Sequence, residues 1–349
     1  MEYEIELKLI TDKTAGEVIN QKLLPELNVE VKHDSLILTN HYFDSKDRIL
    51  RKNDIGLRIR GNNQHFEQTL KTAGKSIGGL HQRPEYNVEL DSQTDTQKSS
   101  SQQFPKLALF PKTAWPENIN PFELEPNLEV LFTTHFKRER YLITLTSDDS
   151  VELVWDLGEI RSGDKTLEIC EIELELKKGS ASVLFDLAKR LVHFLPTSIG
   201  IDSKAARGYS LIDDHRIEEP NQNKTQLSKK QSLNLEEHEQ LLENYLRRFQ
   251  QSLSSVLLNF SAQNAIQCKN ALSCLSTHVA NFAEKFPCKA MQQNKKQLES
   301  LLTSWPIKTE GNQALELIHF LTSAAATELQ LEILQTLVEQ PWLSKNNRF

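Results

Sequence analysis

Charged and apolar side chains alternate at the start of the chain, and this alternation limits the folds available to it. In Glu4-Ile5-Glu6-Leu7-Lys8, residues two apart share one face of a strand, so the charged side chains point one way and the apolar ones the other. The same alternation recurs in later segments, which are 57–60, 83–90, 138–140 and 171–177. One such strand is typical of a solvated sheet face, but charged residues on so many strands need a further explanation.

Two arrangements of these strands fit the pattern. Either an open sheet carries all the charges outside, or the sheet curls so that the charged faces line a lumen and the apolar faces pack outward against helices. Crowded Arg and Lys side chains repel one another unless an anion lies between them, and crowded Glu side chains require cations for the same reason. A lumen with both kinds of cluster predicts a site for a polyanion together with hard divalent ions.

The chain has two parts with different periodicity. Up to about residue 213 the pattern has a period of two, which predicts strands at 2–10, 36–44, 54–61, 65–72, 83–91, 134–146, 150–156 and 167–178. Helices are predicted at 13–24 and 180–195, the second with Ser180 or Ser182 as its N-cap, and 92–125 is predicted to be a long loop. From about residue 233 the spacing is helical and predicts helices near 235–261, 263–285, 289–304 and 311–339.

These patterns predict an α+β protein with a strand-rich domain at 1–213 and a helical bundle at 233–349. The segment 214–232 between them is polar and contains proline, as expected of a linker. We leave open whether the helical domain docks on the first domain or forms homo-oligomers.

Composition excludes several classes of function. A net charge of −7 disfavours a general nucleic-acid-binding surface. No segment approaches the ~20 apolar residues that cross a bilayer, and the acidic start is unlike a signal peptide, so we expect a cytoplasmic protein without membrane contact. The cysteines lack the spacing of zinc sites and of a disulfide framework; they are Cys170, Cys268, Cys274 and Cys288.

A phosphate chain with divalent metal meets the requirements of the predicted lumen. Arginine offers two-pronged hydrogen bonds to phosphate oxygens, and glutamate oxygens suit Mg²⁺ or Mn²⁺. One ion neutralises the phosphate oxygens while a second activates a water for in-line attack. No P-loop motif offers a competing phosphate site.

The motifs of this part of the chain resemble those of the CYTH, or triphosphate tunnel metalloenzyme, superfamily. Glu4-Ile5-Glu6-Leu7-Lys8 matches the family's E-x-E-x-K signature, and Ser203-Lys204-Ala205-Ala206-Arg207-Gly208-Tyr209 is similar to its S-K-x-x-R-G-Y motif. The matching segments between them occur in the family's order; they are 41–44, 57–60, the strand that ends at Lys71, 83–86, 136–140, 154–158 and 171–176. The resemblance covers about residues 1–213. It implies an eight-stranded antiparallel β-barrel that forms a tunnel and the metal-dependent hydrolysis of a triphosphate, with two Mg²⁺ or Mn²⁺ ions per site.

The resemblance also implies roles for individual residues. Glu4, Glu6, Glu171 and Glu173 are the expected catalytic residues, and the expected metal ligands are these four with Asp156 and Glu175. The expected substrate-binding residues are Lys8, Arg58, Arg60, Lys71, Arg83, Glu85, Arg138, Arg140, Lys204 and Arg207. Asn87 departs from the family, in which an acidic residue is common at that position.

Other interpretations remain open at this stage. His41, His65 and His81 are candidate general bases, although we expect each to be satisfied or exposed because bound metal can generate the nucleophile. The helical part resembles a short CHAD domain, supported by 246–249 and by His238, His278 and His319. The alternatives for function are an adenylate cyclase, a thiamine or nucleoside triphosphatase, a non-catalytic polyphosphate-binding module and a purely structural barrel.

Overall fold

The computed structural model describes residues 2–62, 65–90, 103–213, 233–306 and 313–343. The predicted linker 214–232 and the first part of the predicted loop 92–125 lie outside these residues.

Strands of the first part form a closed antiparallel barrel. They are β1 (Glu2–Ile10), β2 (Glu30–Asp44), β3 (Gly56–Asn62), β4 (His65–Lys71), β5 (Lys75–Ile77), β6 (Leu80–Leu90), β7 (Glu129–Thr144), β8 (Ser150–Ser162), β9 (Lys165–Lys178) and β10 (Ser198–Ile199). Their order is β10-β1-β9-β8-β7-β2-β3-β4-β6-β5, and an additional pairing of β1 with β6 closes eight of them into the barrel. The predicted eight-stranded barrel is therefore confirmed.

Several strands extend beyond the predicted bounds, three of them by five residues or more. β2 starts at Glu30 rather than 36, β7 starts at Glu129, and β8 continues to Ser162. The first half of β2 pairs only with β7 and is mostly exposed on both faces, so it carries no alternation of apolar and polar residues. The short strands β5 and β10 were not predicted.

Helices flank the barrel. They are α1 (Ala15–Val18), which continues through a π-helical turn (Ile19–Leu23) into α2 (Leu24–Leu27), and α3 (Ile49–Lys52), α4 (Pro121–Leu124), α5 (Ser182–Val192) and α6 (Lys204–Asp213). The predicted N-cap of α5 is wrong, because Ala181 holds that position and makes no side-chain capping bond. Sequence reasoning did not predict α6, which carries Lys204 and Arg207.

The helical region contains α7 (Leu235–Leu258), α8 (Ala262–Lys285), α9 (Lys289–Thr303), α10 (Gln313–Leu321) and α11 (Ala324–Glu339). The prediction of one helix over 311–339 is wrong. Ser323 has an extended backbone and its Oγ accepts from the Ala326 N–H, so it ends one helix and caps the next. Among the described helices, none is long and apolar enough to span a membrane.

The helical region packs against the barrel through one continuous hydrophobic cluster. Leu7, Leu9 and Leu174 on the outer face of the barrel belong to the same cluster as Leu246 and Leu334 of the helical region. Polar contacts fix the same interface: the Gln250 side chain donates to Gly78 O at 2.9 Å, and Thr197 N donates to Thr322 O at 3.0 Å. The helical region is thus fixed at one side of the barrel.

The Gly78–Gly79 turn between β5 and β6 lies at this interface. Gly79 has a φ of +101°, and a Cβ there would lie 2.3 Å from the Ile199 side chain. A Cβ at Gly78, where φ is +51°, would lie 2.8 Å from Leu246 of α7. Both positions require glycine for the turn and for close approach.

The prediction of a loop over 92–125 is wrong in its second half. Residues 103–128 form short helical turns, and they bury apolar side chains against β2, β3 and β4. These side chains are Leu107, Phe110, Ala114, Ile119 and Leu124. The composition suggested a loop because prolines and polar residues separate these anchors.

Candidate active site

The barrel encloses a charged cavity of about 490 Å³. Thirteen of the predicted site residues line it: Glu4, Glu6, Lys8, Arg58, Arg60, Lys71, Arg83, Glu85, Arg138, Arg140, Glu173, Glu175 and Lys204. Asp156, Glu171 and Arg207 do not line it. The curled arrangement with charges inside is therefore the one that the chain adopts.

Strand register brings these residues together across neighbouring strands. Glu6 of β1 lies opposite Glu175 of β9, and Lys8 lies opposite Glu173. On the other side of β1, Glu4 lies opposite Arg83 of β6. Because every second residue faces inward, each strand contributes a short row of charges to the lumen.

A buried network of ion pairs, which we call the ion-pair cluster, lies at one end of the cavity. It consists of Lys8, Arg138, Asp156, Glu171, Glu173, Lys204 and Arg207. Lys204 Nζ lies 2.6 Å from Asp156 Oδ2 and 2.5 Å from Glu171 Oε1. Arg138 donates to both oxygens of Asp156 at 2.7 Å, and Arg207 pairs with Glu171.

Charges in the ion-pair cluster offset the cost of burial. Burial alone raises the pKa of Glu171, but Lys204 and Lys8 hold it below its ordinary value. Burial likewise raises the pKa of Asp156, and Arg138 and Lys204 lower it below the usual range. Both carboxylates are fully buried and stay ionised because several cations contact them.

Further along β1 and β9, next to the ion-pair cluster, lies a second group of carboxylates, which we call the acidic wall: Glu4, Glu6 and Glu175. Glu4 pairs with Lys71, and Glu175 pairs with Lys177 at 2.6 Å. No cation among the described residues lies within ion-pair distance of Glu6. Burial, with the nearby charges of Glu173 and Glu4, raises the pKa of Glu6 to about 7.

Basic residues on β3 and β4 line the same lumen, and Lys71 of β4 contacts the acidic wall through Glu4. Arg58 lies 3.6 Å from Glu85, which also pairs with Lys71 at 3.4 Å. Arg60 donates to Asn40 at 3.0 Å, and among the described residues it has no carboxylate within ion-pair distance. Burial and the charges of Arg58 and Arg138 lower the pKa of Arg60 to about 9, which an anion in the cavity would reverse.

Arg140 lies in a more open position than predicted. Its side chain is 41% exposed and pairs with Asp34, while its Nε lies 4.0 Å from Glu152. It belongs to the edge of the cavity.

Several lining residues were not predicted. They are Tyr42, Glu67, Thr69, Glu89, Glu152 and Lys177, with His81, Asn87 and Ser203 noted in the sequence but not assigned to the site. Glu152 shares a strand face with Asp156 and could have been found from the alternation along β8. Glu67 lies opposite Arg60, a relation that only the strand register reveals.

The candidate histidines differ from expectation. His81 is neither exposed nor satisfied: it is buried in the cavity lining, and its Nε2 has no hydrogen-bond partner among the described residues. Burial and the charges of Lys8 and Arg83 lower the pKa of His81 to about 3, so it is neutral at physiological pH. Burial also lowers the pKa of His41, and the side chain of His65 lies outside the described part.

Two groups of carboxylates are candidates for metal binding. Oxygens of Asp156, Glu171 and Glu173 lie within 4.8 Å of one another, but lysine and arginine side chains already occupy them. Glu4 and Glu175 of the acidic wall also pair with lysines. Glu6, however, is crowded by two other carboxylates, and no cation of the described residues lies within ion-pair distance of it, so the acidic wall is the better fit. Hard oxygen ligands in this number suit Mg²⁺ or Mn²⁺.

Comparisons with known proteins agree with this site. A family model described as the CYTH domain matches residues 2–209. An inorganic triphosphatase of Haemophilus influenzae is 37% identical over 210 residues, which are 60% of this chain and 54% of that protein. The chain therefore matches over about half of the relative's length.

Solved structures with similar folds are more distant. A Hippeastrum protein whose report describes a dominant triphosphatase activity is 21% identical, covering 59% of this chain and 95% of its own, with a TM-score of 0.41. A protein of Pyrococcus horikoshii is 19% identical, covering 59% and 95%, with a TM-score of 0.34. At TM-scores this low, the superpositions add nothing to the fold described above.

Proposed function

Because this chain belongs to the CYTH domain family, we propose that it hydrolyses inorganic triphosphate to pyrophosphate and phosphate inside the barrel with divalent metal. The observation that carries this proposal is the lumen itself, which combines the acidic wall with Arg58, Arg60 and Lys71 in one cavity. A cavity lined by both carboxylates and cationic side chains is complementary to a metal–polyphosphate complex.

We assign metal binding to the acidic wall together with Glu173. Glu4, Glu6 and Glu175 face the cavity, and Glu173 reaches it from the ion-pair cluster. Two bound Mg²⁺ or Mn²⁺ ions would supply charge neutralisation of the phosphate oxygens and acidify a bound water. The Glu6 carboxylate, which has no cation within ion-pair distance among the described residues, would accept the proton of that water.

The cations hold the substrate in this proposal. Arg58, Arg60, Lys71 and Arg83 would bind the phosphates from one side, and Arg138, Lys8 and Lys204 from the end of the cavity. We assign Asp156, Glu171 and Arg207 a supporting part, because they lie outside the cavity lining and orient the cations next to them.

Phosphate release from triphosphate, ATP, pyrophosphate and thiamine triphosphate, each with Mg²⁺ or Mn²⁺, tests the proposal. We expect the fastest release from triphosphate and none without metal. Cyclic AMP as the main product from ATP would replace the proposal with a cyclase, and tight binding without turnover would replace it with a binding module.

Carboxylate variants test the assigned residues. Glu4→Gln and Glu173→Gln should each reduce kcat by at least ~100-fold, because each removes a charge that the metal needs. Glu168→Gln is the matched control, since Glu168 lies on β9 with an exposed side chain that pairs with Lys13. Full activity in both cavity variants would overturn the metal assignment.

A further inference from the structure

A second chamber of about 410 Å³ adjoins the main cavity on the side of the helical region. The two spaces share a boundary of Gly56, His81, Arg83, Ser203 and Ala205. The two spaces therefore meet at these residues.

Three guanidinium groups from separate parts of the chain line the second chamber. Arg51 belongs to α3, Arg83 to β6 and Arg247 to α7 of the helical region. Arg83 lies 3.5 Å from Asp54, a distance too long for a well-formed ion pair hydrogen bond. The guanidinium of Arg51 lies over the ring of Tyr209, and no carboxylate of the described residues lies within ion-pair distance of it.

The acidic groups near the chamber do not neutralise these cations closely. Asp54 and Asp202 line the chamber, and Glu243 lies 3.5 Å from Arg247 outside its lining. The pairs of Arg83 with Asp54 and of Arg247 with Glu243 both have a distance of 3.5 Å. An anion that forms shorter hydrogen bonds with these arginines could therefore displace the carboxylates.

Arg247 is held at the edge of the chamber by the barrel. Its Nη2 donates to Ser76 O at 3.1 Å, and one turn further along α7 the Gln250 side chain donates to Gly78 O. These two bonds fix α7 on the β5–β6 turn, so the helical region supplies a positioned cation to a space that the barrel alone leaves incomplete.

Two buried nitrogen atoms, one of an imidazole ring and one of a guanidinium group, lie on the boundary between the spaces without a partner among the described residues. Among the described residues, His81 Nε2 and Arg83 Nε have no hydrogen-bond partner. His81 is only 6% exposed. Buried polar atoms of this kind are costly unless a ligand satisfies them.

We propose that the second chamber binds a phosphate group that lies beyond the three phosphates held in the main cavity. The proposal rests on the proposed function, which brings phosphate to this place. The group is either the orthophosphate released by hydrolysis or the next unit of a longer linear polyphosphate, and both present the same tetrahedral anion to Arg51, Arg83 and Arg247.

Binding of inorganic phosphate to the full chain tests the second chamber without turnover. Calorimetric titration in EDTA should show phosphate affinity reduced roughly five- to tenfold in Arg247→Ala and in Arg51→Ala, the scale of one partly exposed charge-assisted hydrogen bond. Arg248→Ala is the matched control, because it removes the neighbouring charge of α7 outside both cavity linings. Both chamber variants alter exposed side chains, and unchanged circular dichroism verifies their folding.

Kinetic measurements identify the source of the phosphate. If it is the product, Arg247→Ala weakens inhibition of triphosphate hydrolysis by orthophosphate. If it is the next unit of a chain, the variant lowers the ratio of kcat/KM for tetraphosphate to that for triphosphate. The proposed phosphate site in the second chamber would be overturned if Arg247→Ala and Arg248→Ala had the same phosphate affinity, the same inhibition by orthophosphate and the same ratio of kcat/KM values. This holds even if triphosphate is hydrolysed. If Arg247→Ala weakens phosphate binding but the wild type does not hydrolyse triphosphate, the phosphate site in the second chamber stands and the proposed function is refuted.

Discussion

The ion-pair cluster and the acidic wall both contain carboxylates inside one barrel. These carboxylates differ in how many cations contact them and in the direction in which their pKa is shifted. In the cluster, Asp156 and Glu171 are fully buried and each contacts at least two cations. On the wall, Glu6 contacts none among the described residues, and its pKa is raised to about 7. Whether a carboxylate in the barrel supports the fold or remains available for a ligand therefore depends on how many cations contact it.

The largest expected effect comes from breaking the ion-pair cluster. Lys204→Ala should lower the free energy of unfolding by about 3–5 kcal/mol, because it leaves Asp156 and Glu171 buried with fewer cations. Urea denaturation measures this change. Lys13→Ala removes a lysine from an exposed pair and should leave the urea midpoint unchanged. A midpoint for Lys204→Ala as high as that of the control would mean that the cluster does not stabilise the fold.

Removing the charge of Glu6 should raise the free energy of unfolding, whereas breaking the ion-pair cluster lowers it. The folded-state pKa of about 7 lies above the ordinary value of 4.5, so ionised Glu6 destabilises the metal-free fold above pH 7. Glu6→Gln should then raise the free energy of unfolding at pH 8 by up to about 3 kcal/mol. The gain should decrease as the pH falls from 7 towards the unfolded-state pKa of 4.5, and below that pH Glu6 is protonated in both states.

Urea denaturation of both proteins in EDTA, at pH 8 and pH 4.5, measures this difference. The same variant should lose metal-dependent activity at pH 8. A variant less stable than the wild type at pH 8 would show that Glu6 already has a compensating cation, and the contrast between wall and cluster would fail.

Metal should stabilise the wild type through the acidic wall. Mg²⁺ or Mn²⁺ at ~100 times its Kd stabilises a protein that binds it only when folded by about 2.7 kcal/mol. We expect a higher midpoint of thermal unfolding with metal at pH 8, a smaller increase at pH 6 because protons compete for Glu6, and none in Glu6→Gln. An equal increase in the variant would place the metal elsewhere, with Asp156, Glu171 and Glu173 as the remaining described group.

The strand faces could be predicted from the sequence because alternation directly reports which side chains share a face. The rows Glu4-Glu6-Lys8 and Arg58-Arg60 were found in this way, and both line the cavity. Periodicity alone left open whether the sheet curls, because closure depends on the long-range pairing of β1 with β6. The family resemblance supplied that step.

Contacts across strands and between elements were beyond sequence reasoning. Helix α6 is short and mostly polar, and it is held by tertiary packing: Gly208 and Tyr209 contact Phe132, and Arg207 pairs with Glu171. For the same reason the burial of Asp156 and Glu171 behind the cavity lining could not be predicted, since carboxylates of the same kind line the lumen further along the same strands.

The smallest expected effect comes from Asn87, where the chain departs from the family. Asn87 accepts from Thr69 Oγ1 at 2.8 Å. Burial raises the pKa of the Glu85 carboxyl, but Lys71 and Arg58, with a smaller contribution from the Asn87 hydrogen bond, hold it below its ordinary value. Asn87→Asp replaces this amide with a carboxylate beside Glu85, which extends the acidic surface of the lumen. We expect Mg²⁺ affinity and the KM for triphosphate each to rise roughly two- to fivefold at pH 8, the scale of a partly screened charge interaction.

Metal titrations of activity measure both quantities, and Asn87→Ala is the control that removes the amide without adding charge. If Asn87→Asp weakens Mg²⁺ binding relative to Asn87→Ala, an added carboxylate on this side of the lumen does not attract the ion. Whether a carboxylate binds Mg²⁺ would then depend on its position in the acidic wall as well as on the absence of a cation next to it.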